Sequence, residues 1–142
     1  VKERAEVEAA NAEFYAAFEA LDLDRMERVW ADGALAGSVT CVHAGWPRLR
    51  GRSEVLRSWA LIIANTTYIQ FVLTDVEVSV DGDRAVVTCG ENIITADGES
   101  EMGLLAAGTV VATNIFVRTD GVWRLWLHHG SPVLNQIGEE DQ

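Results

Sequence analysis

The side chains in this 142-residue chain with a plausible chemical role fall in two places. The first is Cys41-Val42-His43-Ala44-Gly45-Trp46-Pro47, where a histidine follows a cysteine by two residues and runs into a Gly-Trp-Pro turn. An imidazole at the lip of an apolar pocket serves as general base or acid near neutral pH, because its unperturbed pKa already lies there. The alternative is a histidine that caps a strand end by bonding to nearby backbone. A thiol–imidazole pair with Cys41 lacks a third orienting group. The second place is the C-terminal third. Asn114 stands mid-strand, flanked on its own face by Ala112 and Phe116. A buried amide needs partners. These are either structural neighbours or a substrate carbonyl that the NH2 would polarise as an oxyanion donor does.

His128 and His129 are adjacent in a strand and so point to opposite faces. Trp123, Leu125, Leu127 and His129 form the more apolar set, which predicts that His129 faces the pocket. Arg124, Trp126 and His128 are then on the outer face. His43 and Asn114 are the expected catalytic pair, and Trp46, His129, Phe14, Trp59 and Asp32 are expected to touch the substrate. A zinc site built from His43, His129 and Asp32 or Glu91 has no recognisable ligand spacing, so no metal is expected. Arg48, Arg50, Arg52 and Arg57 gather before and inside a helix start. They read either as an anion clamp or as partners for the surplus carboxylates of the first helix and the acidic loop. The sequence has no glycine-rich phosphate loop, nucleophile elbow or Cys-x-x-Cys pair, so no cofactor is called for.

These residues must be held by a recognisable order of elements. Val7, Phe14, Phe18 and Leu21 recur at helical spacing in residues 3–21, with Asn11 as the polar exception on the stripe. Asp22 is the expected N-cap of a short helix burying Met26, Val29 and Trp30. Gly33 and Gly37 loosen the chain before SVTCVH, a short strand with Val39, Cys41 and His43 on one face. Ser53–Asn65 is a third helix. After it the period changes to two. FVLTDVEVSV and RAVVTCGENIIT pair across Asp81-Gly82-Asp83, the loop ADGESEMGLLAAG follows, and TVVATNIFVR pairs with VWRLWLHHG across Thr119-Asp120-Gly121. The tail NQIGEEDQ is expected to fray. Helices grouped ahead of antiparallel strands predict a single α+β domain over 1–142.

A net charge of -11 argues against nucleic acid or an anionic membrane as partner. No apolar run approaches the ~18 residues of a membrane span, and VKERAEVEAANAEF lacks the apolar core of a signal peptide. Cys41 and Cys89 read as reduced thiols in a cytoplasmic protein.

FYAAFEALDLDRMERVWAD (14–32), RGRSEVLRSW (50–59) and VVATNIFVRTDGVWRLWLHHGSPV (110–133), in this order, resemble the nuclear transport factor 2-like superfamily and its SnoaL-like branch. The resemblance implies a cone-shaped α+β barrel, with three N-terminal helices packed on a curved, mainly antiparallel sheet around an apolar pocket. It also implies a homodimer joined through the outer sheet face. The superfamily hosts ketosteroid isomerases, polyketide cyclases, epoxide hydrolases, dehydratases and noncatalytic modules, so it fixes no single activity. Of the isomerase positions, the catalytic tyrosine falls on Phe14, the base aspartate on His43 and the protonated aspartate on Asn114. The expectation is a cofactor-independent isomerase, cyclase or hydratase that acts by proton transfer on a small hydrophobic molecule. The alternative is a noncatalytic ligand-binding or oligomerisation domain.

Overall fold

The computed structural model describes residues 1–96 and 104–134. Three α-helices, α1 (Lys2–Glu19), α2 (Leu23–Val29) and α3 (Arg52–Ala64), pack on a six-stranded sheet. The strands are β1 (Thr40–Val42), β2 (Leu49–Arg50), β3 (Ile69–Asp81), β4 (Arg84–Ala96), β5 (Leu104–Thr119) and β6 (Val122–Pro132). Their order across the sheet is β2-β1-β6-β5-β4-β3. Every pairing is antiparallel except β1 with β6, which sets Cys41 beside His128 and Val42 beside His129.

Local chemistry accounts for several element ends. The Asp22 carboxylate accepts from the Arg25 backbone N–H at 3.1 Å and starts α2. In the β5–β6 hairpin, Asp120 and Gly121 take φ of 52° and 77°, the doubly left-handed turn that a two-residue hairpin loop favours. Arg52 closes α2 from outside. Its guanidinium donates to the carbonyls of Glu27, Trp30 and Ala31 at 2.7–3.1 Å, where a cation suits the helix's negative end. Arg52 is thus neither an anion clamp nor a carboxylate partner. Arg48, Arg50 and Arg57 are exposed and form no salt bridge among the described residues.

Two expectations change at the sheet. The 96–108 loop is shorter than its composition suggested, because Leu104–Gly108 already belongs to β5. Residues 97–103 and the tail from Asn135 lie outside the described residues. The second change is on β6. Ile115 pairs with Leu127 but Phe116 pairs with Leu125, so Trp126 is an extra residue and forms a β-bulge. Side-chain alternation reverses there. Trp123 and Leu125 face inward before the bulge, and His128 and Gly130 face inward after it.

The core lies between the concave sheet face and the helices. Phe14, Met26, Trp30, Phe116 and Leu125 are its largest fully buried side chains. Phe14 sits at its centre, edge-on to Tyr15, Trp30 and Trp59. Among the described residues no helix is long and apolar enough to cross a membrane.

Candidate functional site

A cavity of about 230 Å³ opens beneath α1 and α3 on the concave face. Its apolar wall includes Phe14, Phe18, Trp59 and Phe71, with Trp46 partly exposed at one side. Four groups with acid–base or hydrogen-bonding capacity also line it: Tyr15, His43, Glu91 and His128.

His43 stands just past β1, with its ring against Trp46 and Trp59 at centroid distances of 4.9 and 4.8 Å and the Cys41 thiol 3.7 Å away. Its Nε2 lies 2.9 Å from the Ser58 hydroxyl. That hydroxyl's single hydrogen goes to the Val55 carbonyl one helical turn back, at 2.6 Å. Hydrogen-bond arithmetic therefore assigns the imidazole proton to Nε2 and leaves Nδ1 as an unprotonated base. Burial lowers the His43 pKa to about 4, so the ring is neutral at pH 7.

Glu91 is supplied by β4, whose inward alternation runs Ala85, Val87, Cys89, Glu91. The residue is 5% exposed, and its carboxylate accepts from the Tyr15 hydroxyl at 2.5 Å. Burial raises the Glu91 pKa to about 7, against the opposing effect of that hydrogen bond. The same burial, with Glu91 beside it, pushes the Tyr15 phenol well above its ordinary range, so Tyr15 stays protonated.

Behind this wall lies a polar network. The Asn114 amide donates to the Asn11 carbonyl oxygen at 2.9 Å and to the Tyr15 oxygen at 3.1 Å. Both amide hydrogens are then committed, and its oxygen must accept from His128 Nδ1 at 2.5 Å. This fixes His128 as the Nδ1–H tautomer, with Nε2 unprotonated. Burial, with smaller effects from His43 and His129, lowers the His128 pKa to about 3. Burial likewise pushes the Cys41 thiol upward, away from thiolate chemistry.

The structure brings His43, Trp46, Phe14 and Trp59 to the cavity. It places Asn114 behind the wall, fully buried, with no hydrogen left to polarise a carbonyl. His129 is corrected outright: the bulge at Trp126 turns it to the exposed face and puts His128 in its place. Asp32 is exposed at the start of a 3-10 turn and is not part of the lining. Among the described residues, no three His, Cys, Asp or Glu side chains converge as a metal would require. Tyr15, Glu91, His128, Asn11 and Ser58 were absent from the expected site. Three of these leave a signal: Asn11 and Tyr15 are one helical turn apart, and Glu91 continues the period-two inward set of β4.

Comparison with known proteins supplies the family. A family described as the SnoaL-like domain matches residues 7–135. The chain belongs to the SnoaL-like family. Its fold is accordingly that of the NTF2-like superfamily. A proposed dehydratase of the NTF2-like family from Streptomyces avermitilis is 51% identical, with a TM-score of 0.86 over 94% of this chain and 98% of that one. A proposed calcium/calmodulin-dependent protein kinase type II association domain from Thiobacillus denitrificans is 32% identical. Its TM-score is 0.76 over 89% of this SnoaL-like chain and 94% of its own. The F-box protein SKIP8 of Arabidopsis thaliana is 28% identical over 126 residues, or 89% of this chain. The SnoaL-like chain spans about half of that curated relative's length, 49%.

Proposed function

We propose that this SnoaL-like protein is a cofactor-independent lyase or isomerase that moves protons on a small hydrophobic molecule, with dehydration as the leading reaction. The observation that carries the reading is the pairing, on one aromatic cavity, of a neutral His43 with a Glu91 whose pKa is raised to about 7. Two titratable groups pushed apart by their surroundings make a base and an acid available at the same pH. In a dehydration, His43 Nδ1 takes the proton from a carbon next to a carbonyl. The C–H electrons form the new double bond, and the C–O bond breaks as the leaving hydroxyl takes the Glu91 proton and departs as water. The imidazolium then returns its proton to the carboxylate through water. Tyr15 occupies one carboxyl oxygen of Glu91 and leaves the acidic hydrogen on the other, Oε1. The 51% identical relative, a proposed dehydratase, supports the same class.

The test is a panel of one-ring β-hydroxy ketones incubated in deuterium oxide, with loss of water and incorporation of carbon-bound deuterium followed by mass spectrometry and NMR. Either signal is expected, and each should be abolished in His43→Phe. A panel that neither dehydrates nor exchanges would sink the reading.

A second reading concerns assembly and is favoured by the opposite sheet face. Val86, Thr88, Val111, Thr113 and Ile115 share that face with His129, an uncharged stretch of β4–β6 bordered by Glu77 and Arg84 in a chain of net charge -11. Val86 and Val111 are 40% and 53% exposed. We infer that this face joins two copies in a homodimer, in keeping with the 32% identical association-domain relative. Light scattering after size exclusion reads the outcome directly, and a monomer at micromolar concentration would reject it.

A further inference from the structure

We propose that the cavity is built for a neutral, hydroxyl-bearing molecule of about one ring and rejects carboxylates and phosphates. The inference rests on reading this cavity as the working site, and it names the ligand class.

It follows from counting hydrogens. The hydrogen on His43 Nε2 is held by Ser58, and the one on His128 Nδ1 is held by Asn114. The hydrogen of Tyr15 goes to Glu91, while the Tyr15 oxygen already accepts from Asn114. What these side chains still offer a ligand is the His128 Nε2 lone pair, the His43 Nδ1 lone pair, which only the Cys41 thiol contacts at 3.7 Å, and Glu91 Oε1, which donates when protonated and accepts when ionised. The indole N–H of Trp59 is buried without a partner among the described residues and is out of a ligand's reach. That of Trp46 belongs to a side chain 38% exposed at the mouth. The inner cavity is therefore rich in acceptors, and a ligand must bring hydrogens to satisfy them, since a site's unpaired buried polar groups penalise an analogue without them.

Charge excludes the anions. Among the described residues no lysine or arginine lines the cavity, and both imidazoles are held neutral by burial. A carboxylate or phosphate would be desolvated beside acceptors with no counter-charge. Size sets the remaining limit. A cavity of ~150 Å³ already takes a benzene ring, so about 230 Å³ has room for one substituted ring. A substrate hydroxyl in this setting donates to one imidazole lone pair while it accepts from protonated Glu91, which is the orientation its departure as water requires.

Isothermal titration of the wild-type protein at pH 6, where Glu91 keeps its proton and both imidazoles are neutral, with resorcinol, 1,3-dimethoxybenzene and benzoate separates the possibilities. Resorcinol is expected to bind about tenfold or more tightly than its dimethyl ether, and benzoate is expected not to bind. Equal or tighter binding of the ether, preference for benzoate, or no binding of resorcinol at millimolar concentration would each overturn the inference. Ring-15N shifts of the unliganded protein provide the independent check. Nε2–H at His43 and Nδ1–H at His128 are required, and the other tautomer at either position defeats the hydrogen count. Protein that binds resorcinol but turns over nothing retains this inference and loses the catalytic reading. Protein that dehydrates a substrate yet prefers the ether or benzoate does the reverse.

Discussion

Asn114 and Thr113 are neighbours on β5, yet they belong to two different materials. Asn114 is fully buried on the concave face, where it is tied to Asn11, Tyr15 and His128. Thr113 faces outward, beside Thr88 on one strand and His129 on the other. The concave face buries groups that must be satisfied by one another. Around Thr113 the convex face carries the β-branched residues Val86, Thr88, Val111 and Ile115, which are more interchangeable. The proposed chemistry falls on the first face and the proposed assembly on the second, because a buried polar group has few acceptable alternatives and a half-exposed valine has many.

The contrast is broken most severely at the reacting groups. His43→Phe keeps an aromatic ring between Trp46 and Trp59 while removing the base, and is expected to lower kcat/KM by about 10³-fold. The pH profile of the wild-type protein should rise as His43 loses its proton near pH 4 and fall as Glu91 loses its own near pH 7. An alkaline limb that survives in Glu91→Gln would assign it to another group.

Glu91 also carries a large pH-dependent stability effect. Its folded pKa of about 7 lies above the usual 4.5, so the folded state holds a proton that the unfolded chain has released between those values. Stability contributed by protonated Glu91 is therefore lost as pH rises from about 4.5 through 7, by an amount on the order of 3 kcal/mol. Glu91→Gln should remove that loss, so that the variant is more stable than wild type at pH 8 and the gap narrows toward pH 5. Denaturant melts at the two pH values decide this. The two buried histidines act oppositely: their neutral forms favour folding above pH 6.5, and that advantage drains away as pH falls toward about 4 for His43 and about 3 for His128.

Smaller effects sharpen the comparison of faces. Asn114→Leu leaves Asn11, Tyr15 and His128 without their shared partner and should cost about 2 kcal/mol. Thr113→Val, one residue away, should stay within about 0.5 kcal/mol. Val111→Glu should leave melting nearly unchanged and weaken the proposed dimer about tenfold or more, since a charge would be buried within its uncharged β4–β6 stretch. An equal cost at positions 113 and 114 would erase the distinction.

Much of this was legible in the residues themselves. Helical stripes, the Asp22 cap, the two hairpin turns and the shift to period two lead to the α+β order, because each is a short-range effect within a few residues. His43 on the Val39–Cys41 face also follows from local alternation. The tertiary structure decided the rest. A bulge at Trp126 exchanged His128 for His129, and a bulge depends on how the partner strand is paired and curved, which no local period reports. α1 presents Tyr15 as well as Phe14 to the cavity, because a helix seated on a concave sheet buries a wider arc than a single stripe. The protons were placed last. Nδ1 of one histidine, Nε2 of the other and the raised pKa of Glu91 follow from contacts spanning up to 103 positions of sequence. Hydrogen bonding and desolvation act through space, so only the folded chain could assign them.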